Sequence, residues 1–497
     1  MKHSFFKQAL AIVLLGLALR IPLLSGSLWL DEAAQALESA RPLSEQFNII
    51  ADFQPPLLHL ITFASLRIST AEAWLRLWGA LIPGIISIIY TIKIGKKYFS
   101  PSVGLIAGFL LSISSFHVYF SQELRPYALP AAFAVLSWWF LLNAVQDKKP
   151  LKTYVLYGVS TWLGLFSSYL YPFLVLGQIF YVLFSEKKRF GYLVKTLAVV
   201  AIAYAPWLPT FFKQLTKGQQ VQAALPGWSE VVSIPQLKAL PLTIAKFVYG
   251  VLLLDASAFF LISGMILVTS FTFLGWNYYK KNKKVWQKKE LLILISWFII
   301  PLLTAWIISF IVPVVRPKRV LLIQPGFLLG LAYLILWGKN QKDLLLKKSA
   351  ILGLSTLCII STVSLFSYYT KPQLQRENWR DLHTQITTTY PNNSVVVFSF
   401  PEAFAPWRWY DSANYPSFST GALTTDVIPD LPEKMKYLTE YDYILVFDHL
   451  RTLTDPHDTL LQVVKDFGYR EVDQIDYPNI GFVRVYARSQ AQLSESR

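Results

Sequence analysis

"FFKQALAIVLLGLALRIPLL", residues 5–24, decides the fold class. The run is long enough to cross a bilayer and too long for the core of a signal peptide. Lys2 and Lys7 mark its start, and no small-residue cleavage site follows it. It reads as an uncleaved first transmembrane helix. Similar runs recur to about residue 369, near 79–95, 103–119, 128–146, 152–168, 171–184, 191–212, 252–277, 290–312, 319–337 and 349–369. The sequence therefore predicts a polytopic all-α transmembrane bundle of about eleven helices over residues 1–369. The composition agrees. Of 497 residues, 54% are hydrophobic and only 15% charged, too few charges for a soluble surface of this size. Aromatics make up 15%, with 16 Trp, as expected where rings anchor helix ends at the lipid interface. The single cysteine, Cys358, lies in an apolar run, so neither a disulfide framework nor a cysteine-built metal site is expected.

The connections alternate in character. One set is lysine-rich: Lys96 and Lys97; Lys148, Lys149 and Lys152; Lys187, Lys188 and Arg189; "KKNKKVWQKK" from Lys280; and Lys339, Lys342, Lys347 and Lys348. The other set, 25–78, 120–127, 213–251 and 313–318, carries fewer basic residues. Cytoplasmic loops retain Lys and Arg, so the first set is expected inside and the second outside, with the N-terminus cytoplasmic. The net charge of +16 then reports topology in a multi-pass plasma (inner) membrane protein, and nucleic acid is not an expected partner. An odd number of spans puts the C-terminus outside. From Thr370 the pattern changes to helices alternating with short apolar strands. "ENWRDLHTQITTTY" and "LLQVVKDFG" read as helices; "SVVVFSF" (394–400), "YDYILVF" (441–447) and "GFVRVYAR" read as strands. Residues 370–497 are thus a small extracytoplasmic α/β domain. No Gly-rich phosphate loop and no internal repeat occur.

The polar residues with chemical potential collect on the outward loops. Asp31 and Glu32 follow the first span, within "SLWLDEAAQALES" (27–39). Gln54 stands in "DFQPPLLHL" (52–60), where Pro56 can open a helix. Glu123, Arg125 and Tyr127 stand in "FSQELRPYAL", and Arg316, Lys318 and Arg319 in "VPVVRPKRV". Each also has a purely structural reading. Asp31 can cap a helix and Glu32 can favour its positive end. Gln54-Pro55-Pro56 can be a turn, Glu123 and Arg125 a solvated pair, and the late basic residues interfacial anchors. His59 and His117 read as structural. Carboxylates and cations sharing one water–lipid boundary carry the functional reading jointly.

Four stretches, "LDEA" (30–33), "QPPLLHL" (54–60), "ELRPYAL" (123–129) and "RPKRVLLIQPGFLL" (316–329), together resemble the bacterial relatives of the protein O-mannosyltransferases. These are GT-C glycosyltransferases, a group that includes the lipid A aminoarabinose transferase. The resemblance implies a donor sugar on polyprenyl or dolichyl phosphate, used on the outer side of the membrane, and a functional acid at Asp31. Many relatives have His before the Pro-Pro where this chain has Gln54, which weakens a metal at that position.

Chemistry leads to a similar place. A lipid phosphate is a competent leaving group whose developing charge needs Arg or Lys. Arg125, Arg316 and Arg319 are the candidates, since a guanidinium can hold two phosphate oxygens. The acceptor hydroxyl needs a carboxylate base, assigned to Asp31, and one-step displacement would invert the anomeric carbon. Glu32, about 100° round a helix, would orient the loop or a basic residue. Glu123 either positions Arg125, binds acceptor or binds a divalent cation; the residues do not choose among these. The expected activity is hexosyl or pentosyl transfer to a lipid, glycan or protein acceptor. The competing reading is a polytopic lipid or solute transporter or flippase. That reading predicts internal repeats and ionisable sites near mid-membrane; here prolines such as Pro83, Pro206 and Pro301 interrupt spans, but no paired acidic residues lie inside them.

Overall fold

Each apolar run forms helix in the computed structural model, which describes residues 2–488 apart from 51, 225–233, 256, 283–286, 313, 391–392, 400–403, 423 and 426–427. Lys283 and Lys284 of the "KKNKKVWQKK" loop and Phe400 of the first expected strand lie outside the described residues. Among the described residues, six helices are long and apolar enough to cross a membrane: Glu72–Tyr98, Lys187–Val221, Ala258–Lys281, Lys289–Ile308, Leu321–Lys339 and Leu344–Thr370. Shorter apolar helices include Pro101–Ile113, Ala128–Ala144 and Tyr171–Ser185. Residues 152–168 and 171–184 form two helices, Leu151–Leu165 and Tyr171–Ser185, not one broken helix. This is a polytopic helical membrane protein with a small C-terminal sheet domain.

The interrupting prolines each coincide with a change of winding. Pro83 follows a π-helical turn at Leu77–Leu81, Pro301 follows one at Ile295–Ile299, and Pro206 lies in a 3₁₀ turn, Ala205–Trp207. Proline removes a helical N–H and crowds the carbonyl four residues back, and a local shift of register absorbs both. The first helix, Lys2–Ala18, ends six residues short of the expected span. Pro22 disfavours helix at the residue before it, and Arg20 turns its guanidinium back onto backbone carbonyls. Helix Gln236–Tyr249, with Pro241 inside it, is not among the expected helices. Its two lysines and its proline give it the composition of a loop.

The described residues fall into two compact units. One comprises Met1–Leu24, Leu43–Gln214 and Ser233–Thr370; the other comprises Ser25–Pro42, Leu215–Val232 and Lys371–Arg497. The helical unit buries its polar groups in pairs. Gln178, fully buried, accepts from the Tyr157 hydroxyl at 2.9 Å and donates to Ser137 Oγ at 2.8 Å, which also accepts from Tyr171 at 2.8 Å. Beside them Trp138 stacks on Trp297, centroids 5.4 Å apart. Large apolar side chains such as Met265 and Val268 are exposed, as lipid-facing positions require. Helices Glu72–Tyr98 and Pro101–Ile113 meet at glycine: a Cβ on Gly95 would lie 2.4 Å from the Gly104 Cα. Small residues allow such backbone approach where no hydrophobic force drives helices together.

In the second unit five strands, β1 (Ser394–Phe398), β2 (Ser417–Ser419), β3 (Tyr443–Phe447), β4 (Tyr469–Tyr477) and β5 (Gly481–Arg488), are ordered β2-β1-β3-β5-β4. β1 runs parallel to β2 and β3; β5 is antiparallel to β3 and β4. The alternation of β1 and β3 separates two cores. Val396, Phe398, Leu445 and Phe447 pack with Trp379, Leu382 and Ile386 of helix Trp379–Thr389; Val395, Val397, Ile444 and Val446 pack with Leu460 and Val464 of helix Thr459–Asp466. Both faces are covered, which is why β1 and β3 read as continuous apolar runs. β4, mostly exposed and polar, and three-residue β2 gave no such signal.

Replacing Gly104 by Val would drive its side chain into the Ile92 carbonyl and the backbone of Lys96. The variant should lose about 1–3 kcal/mol through overpacking, read as a lower unfolding temperature in detergent. An unchanged midpoint would show that these helices separate freely.

Candidate functional site

The expected site residues divide between the two units, Asp31 and Glu32 in the C-terminal one and Gln54, Glu123, Arg125, Tyr127, Arg316 and Arg319 in the helical one.

In the helical unit the polar cluster is built on two loops. Asp52 is its hub. Its carboxylate accepts from both terminal nitrogens of Arg125 at 3.4 Å, from His59 Nε2 at 3.1 Å and from the Gln54 side-chain amide. Gln54 and His59 are themselves in contact, 2.9 Å apart. Gln214, fully buried, gathers the backbone of the same loop by donating to the carbonyls of Ile49, Asp52 and Gln54. Burial pushes the Asp52 carboxyl up, but Arg125 and then His59 outweigh it and hold the group well below the usual carboxylate range. Arg125 thereby keeps a fixed fork with part of its edge exposed. Two residues on, the Tyr127 ring lies under the Lys318 ammonium, 5.2 Å from its centroid. Arg316 and Arg319 bracket Lys318, and the Arg319 N–H closes a turn on the Arg316 carbonyl at 3.0 Å. Residues 125–127 are thus linked to 52–59 through Asp52 and to 316–319 through Lys318.

The loop that presents Glu123 and Arg125 is held from below. Arg20, fully buried, donates to the Gly16 and Ser112 carbonyls at 2.7 and 3.1 Å and approaches His117 Nδ1 at 2.8 Å. The carbonyls at the end of helix Pro101–Ile113 supply the negative end that a buried cation needs. Because Arg20 can only donate, His117 Nδ1 accepts, and the ring proton belongs on Nε2. Gln122 donates to the Arg20 and Pro22 carbonyls and accepts from Tyr368 at 2.9 Å. Glu123, next in sequence, is buried.

In the C-terminal unit, helix Leu30–Ala40 starts one residue before Asp31, and its N-cap is Trp29, which makes no side-chain capping bond. Asp31 therefore sits in the first turn, and the capping role that the sequence allows it is not the one found. Glu32, also in that turn, is fully buried. The strap leading in is tied at each residue: Arg380 donates to the Ser25 carbonyl and its N–H to Ser27 Oγ, and the Leu28 N–H donates to the Tyr410 hydroxyl at 2.7 Å. Among the described residues no group of three or more His, Cys, Asp or Glu gathers as a metal site.

Sequence reasoning missed Asp52 and Gln214. Asp52 stood two residues before Gln54 in a quoted stretch, and the available signal was the single carboxylate of that stretch with Arg125 as a candidate counterion. His59, expected to be structural, is a member of the cluster.

Residues 53–210 match the family described as dolichyl-phosphate-mannose-protein mannosyltransferase. No protein with a curated description matches the chain in sequence. The fold is similar to that of ArnT from Cupriavidus metallidurans in the apo state, at 13% identity over 97% of both chains with a TM-score of 0.58. It is similar to ArnT from the same organism bound to undecaprenyl phosphate, at 13% identity over 98% of both chains with a TM-score of 0.59. It is also similar to the oligosaccharyltransferase AglB from Archaeoglobus fulgidus in complex with an inhibitory peptide and a dolichol-phosphate, at 14% identity over 99% of this chain and 75% of that one, TM-score 0.52. The architecture is the GT-C glycosyltransferase fold, as the resemblance implied.

Since Asp52 is held ionised, its contribution to stability is complete above the unfolded-state value of about 4 and is lost as the pH falls below it. Asp52→Asn should destabilise the protein at pH 7 by about 1–3 kcal/mol. The gap to wild type should close on acidification below about pH 4. Equal unfolding temperatures at pH 7 would contradict the clasp.

Proposed function

We propose that this chain is a membrane glycosyltransferase that moves a sugar from a polyprenyl-phosphate donor to an acceptor hydroxyl on the extracytoplasmic face. One observation carries the reading. The mannosyltransferase-family pattern of residues 53–210 includes Gln54, His59, Glu123, Arg125 and Tyr127, and lies on a fold that in ArnT holds undecaprenyl phosphate. AglB, with its dolichol-phosphate, supports the same class of donor.

In the proposed step Asp31 takes the acceptor hydroxyl proton as the oxygen attacks the anomeric carbon. The bond from that carbon to the phosphate oxygen breaks on the opposite face, inverting the centre and releasing polyprenyl phosphate. The charge that develops on the leaving phosphate is met by Arg125, whose fork Asp52 already orients, with Arg316 and Arg319. Gln54 and Tyr127 line the donor headgroup, and Glu32 and Glu123 hold the loops that carry Asp31 and Arg125. A fixed base is effective because a misplaced carboxylate loses most of its advantage in proton transfer. The transmembrane domain, 1–369, supplies apolar surface for the prenyl chain, and 370–497 forms the extracytoplasmic domain, with the N-terminus cytoplasmic.

Purified protein supplied with synthetic polyprenyl-phosphate sugars tests the assignment. Asp31→Asn should lower kcat on the order of a hundredfold with the fold intact; transfer at the wild-type rate would remove Asp31 from the base role. Arg125→Ala should raise the donor KM by about tenfold or more, and unchanged donor kinetics would place the phosphate elsewhere. The product anomer, read by NMR, should be opposite to that of the donor.

A further inference from the structure

Glu377 is a carboxylate of the C-terminal unit that bonds to the start of the helix carrying Asp31. Its Oε2 accepts the Leu30 N–H at 3.1 Å and the Trp379 indole N–H at 2.6 Å. Its Oε1 faces His449 Nε2 at 4.0 Å. The side chains of both are about nine-tenths buried, with exposures of 12% and 9%. Trp379 is itself immobilised, stacked on Phe447 of β3 at 5.6 Å and edge-on to His449 at 5.6 Å. His449 Nδ1 lies 3.3 Å from the Ile480 carbonyl, which fixes the proton on that nitrogen and turns Nε2 toward Glu377.

The first N–H groups of a helix have no partner within it. Here the usual solution, a side chain at the N-cap, is missing because Trp29 stands there. The partner instead comes from 347 residues away in the chain. A carboxylate also complements the positive end of the helix dipole. Yet the same turn already holds Asp31 and Glu32, so a third carboxylate there is against electrostatic expectation. Burial and then the nearby Asp31 push the Glu377 carboxyl above its ordinary range, against His449, Trp379 and the Leu30 N–H, which pull it down. The hydrogen bonds of Glu377 define what it does there.

We infer that Glu377 is a positioning residue for Asp31: by accepting the Leu30 N–H it fixes the first helical turn, and with it the direction of the carboxylate one residue on. Trp379 and His449 hold Glu377 in turn. The inference rests on Asp31 being the base proposed above. It concerns orientation within the reacting complex, so it predicts a loss in kcat rather than in donor binding.

Two variants separate the hydrogen bond from the charge. Glu377→Gln keeps an acceptor oxygen at the same reach, and Glu377→Asp keeps the charge but withdraws the oxygen by one methylene. Glu377→Gln should keep kcat within about threefold of wild type, and Glu377→Asp should lower it by about tenfold or more with the donor KM within about twofold. The transfer assay is run on the full-length purified protein, with unfolding temperatures recorded for each variant. Wild-type kcat in Glu377→Asp would overturn the inference. Equal losses in both variants, or a loss confined to KM, would overturn it as well. Asp31→Asn, assayed in parallel, keeps the failures apart. If that variant is active, the base assignment falls; if it is inactive while Glu377→Asp is normal, only the positioning role falls.

Discussion

The bilayer as solvent governs this molecule. Hydrocarbon offers no hydrogen bonds and no dielectric relief, so each polar group carried into it must bring its own partner. Arg20 shows the consequence most clearly. Fully buried, it is solvated by the carbonyls of Gly16 and Ser112 and by His117. Gln178 meets the same requirement with Tyr157 and Ser137. Each cluster ties together segments far apart in sequence, so these polar groups act as registration points for the helices.

That constraint extends to the loop carrying Glu123 and Arg125. The residue that anchors it, Gln122, reaches the ends of the first and last helices of the bundle through the Arg20 carbonyl and Tyr368. The loop is therefore set by the packing of the bundle as a whole. A guanidinium proposed to bind phosphate gains from such a setting, because its directional fork is useful only when its plane is fixed. Asp52 fixes the plane from one side, and Asp52 is fixed in turn by His59, Gln54 and, through its backbone, Gln214.

The C-terminal unit applies different physics to a similar end. It has a water-type core, two apolar layers on a five-stranded sheet, and this rigid element carries the strap 25–30 through Arg380, Tyr410 and Glu377. A catalytic carboxylate on a short helix gains precision when the start of that helix is bonded to a scaffold. The sheet domain thus owns the segment in which Asp31 stands.

Much of this was legible from residue order alone. Run lengths gave the helices, because bilayer thickness sets a fixed number of residues per span. The Pro positions marked where winding would change, because the missing N–H is a local fact. The strands β1 and β3 were legible because both faces are buried; β4 was not, because its exposed polar alternation resembles a loop. The order of charged loops made Asp31, Glu123 and Arg125 the proposed site residues, because short loops keep few ionisable groups. What residue order could not decide was pairing. That Asp52 clasps Arg125, that Trp29 rather than Asp31 stands at the helix cap, and that Glu377 bonds the Leu30 N–H, all depend on contacts between segments separated by up to 347 residues. Such contacts are chosen by packing and by the desolvation of each polar group, and these become defined only when the whole chain has folded.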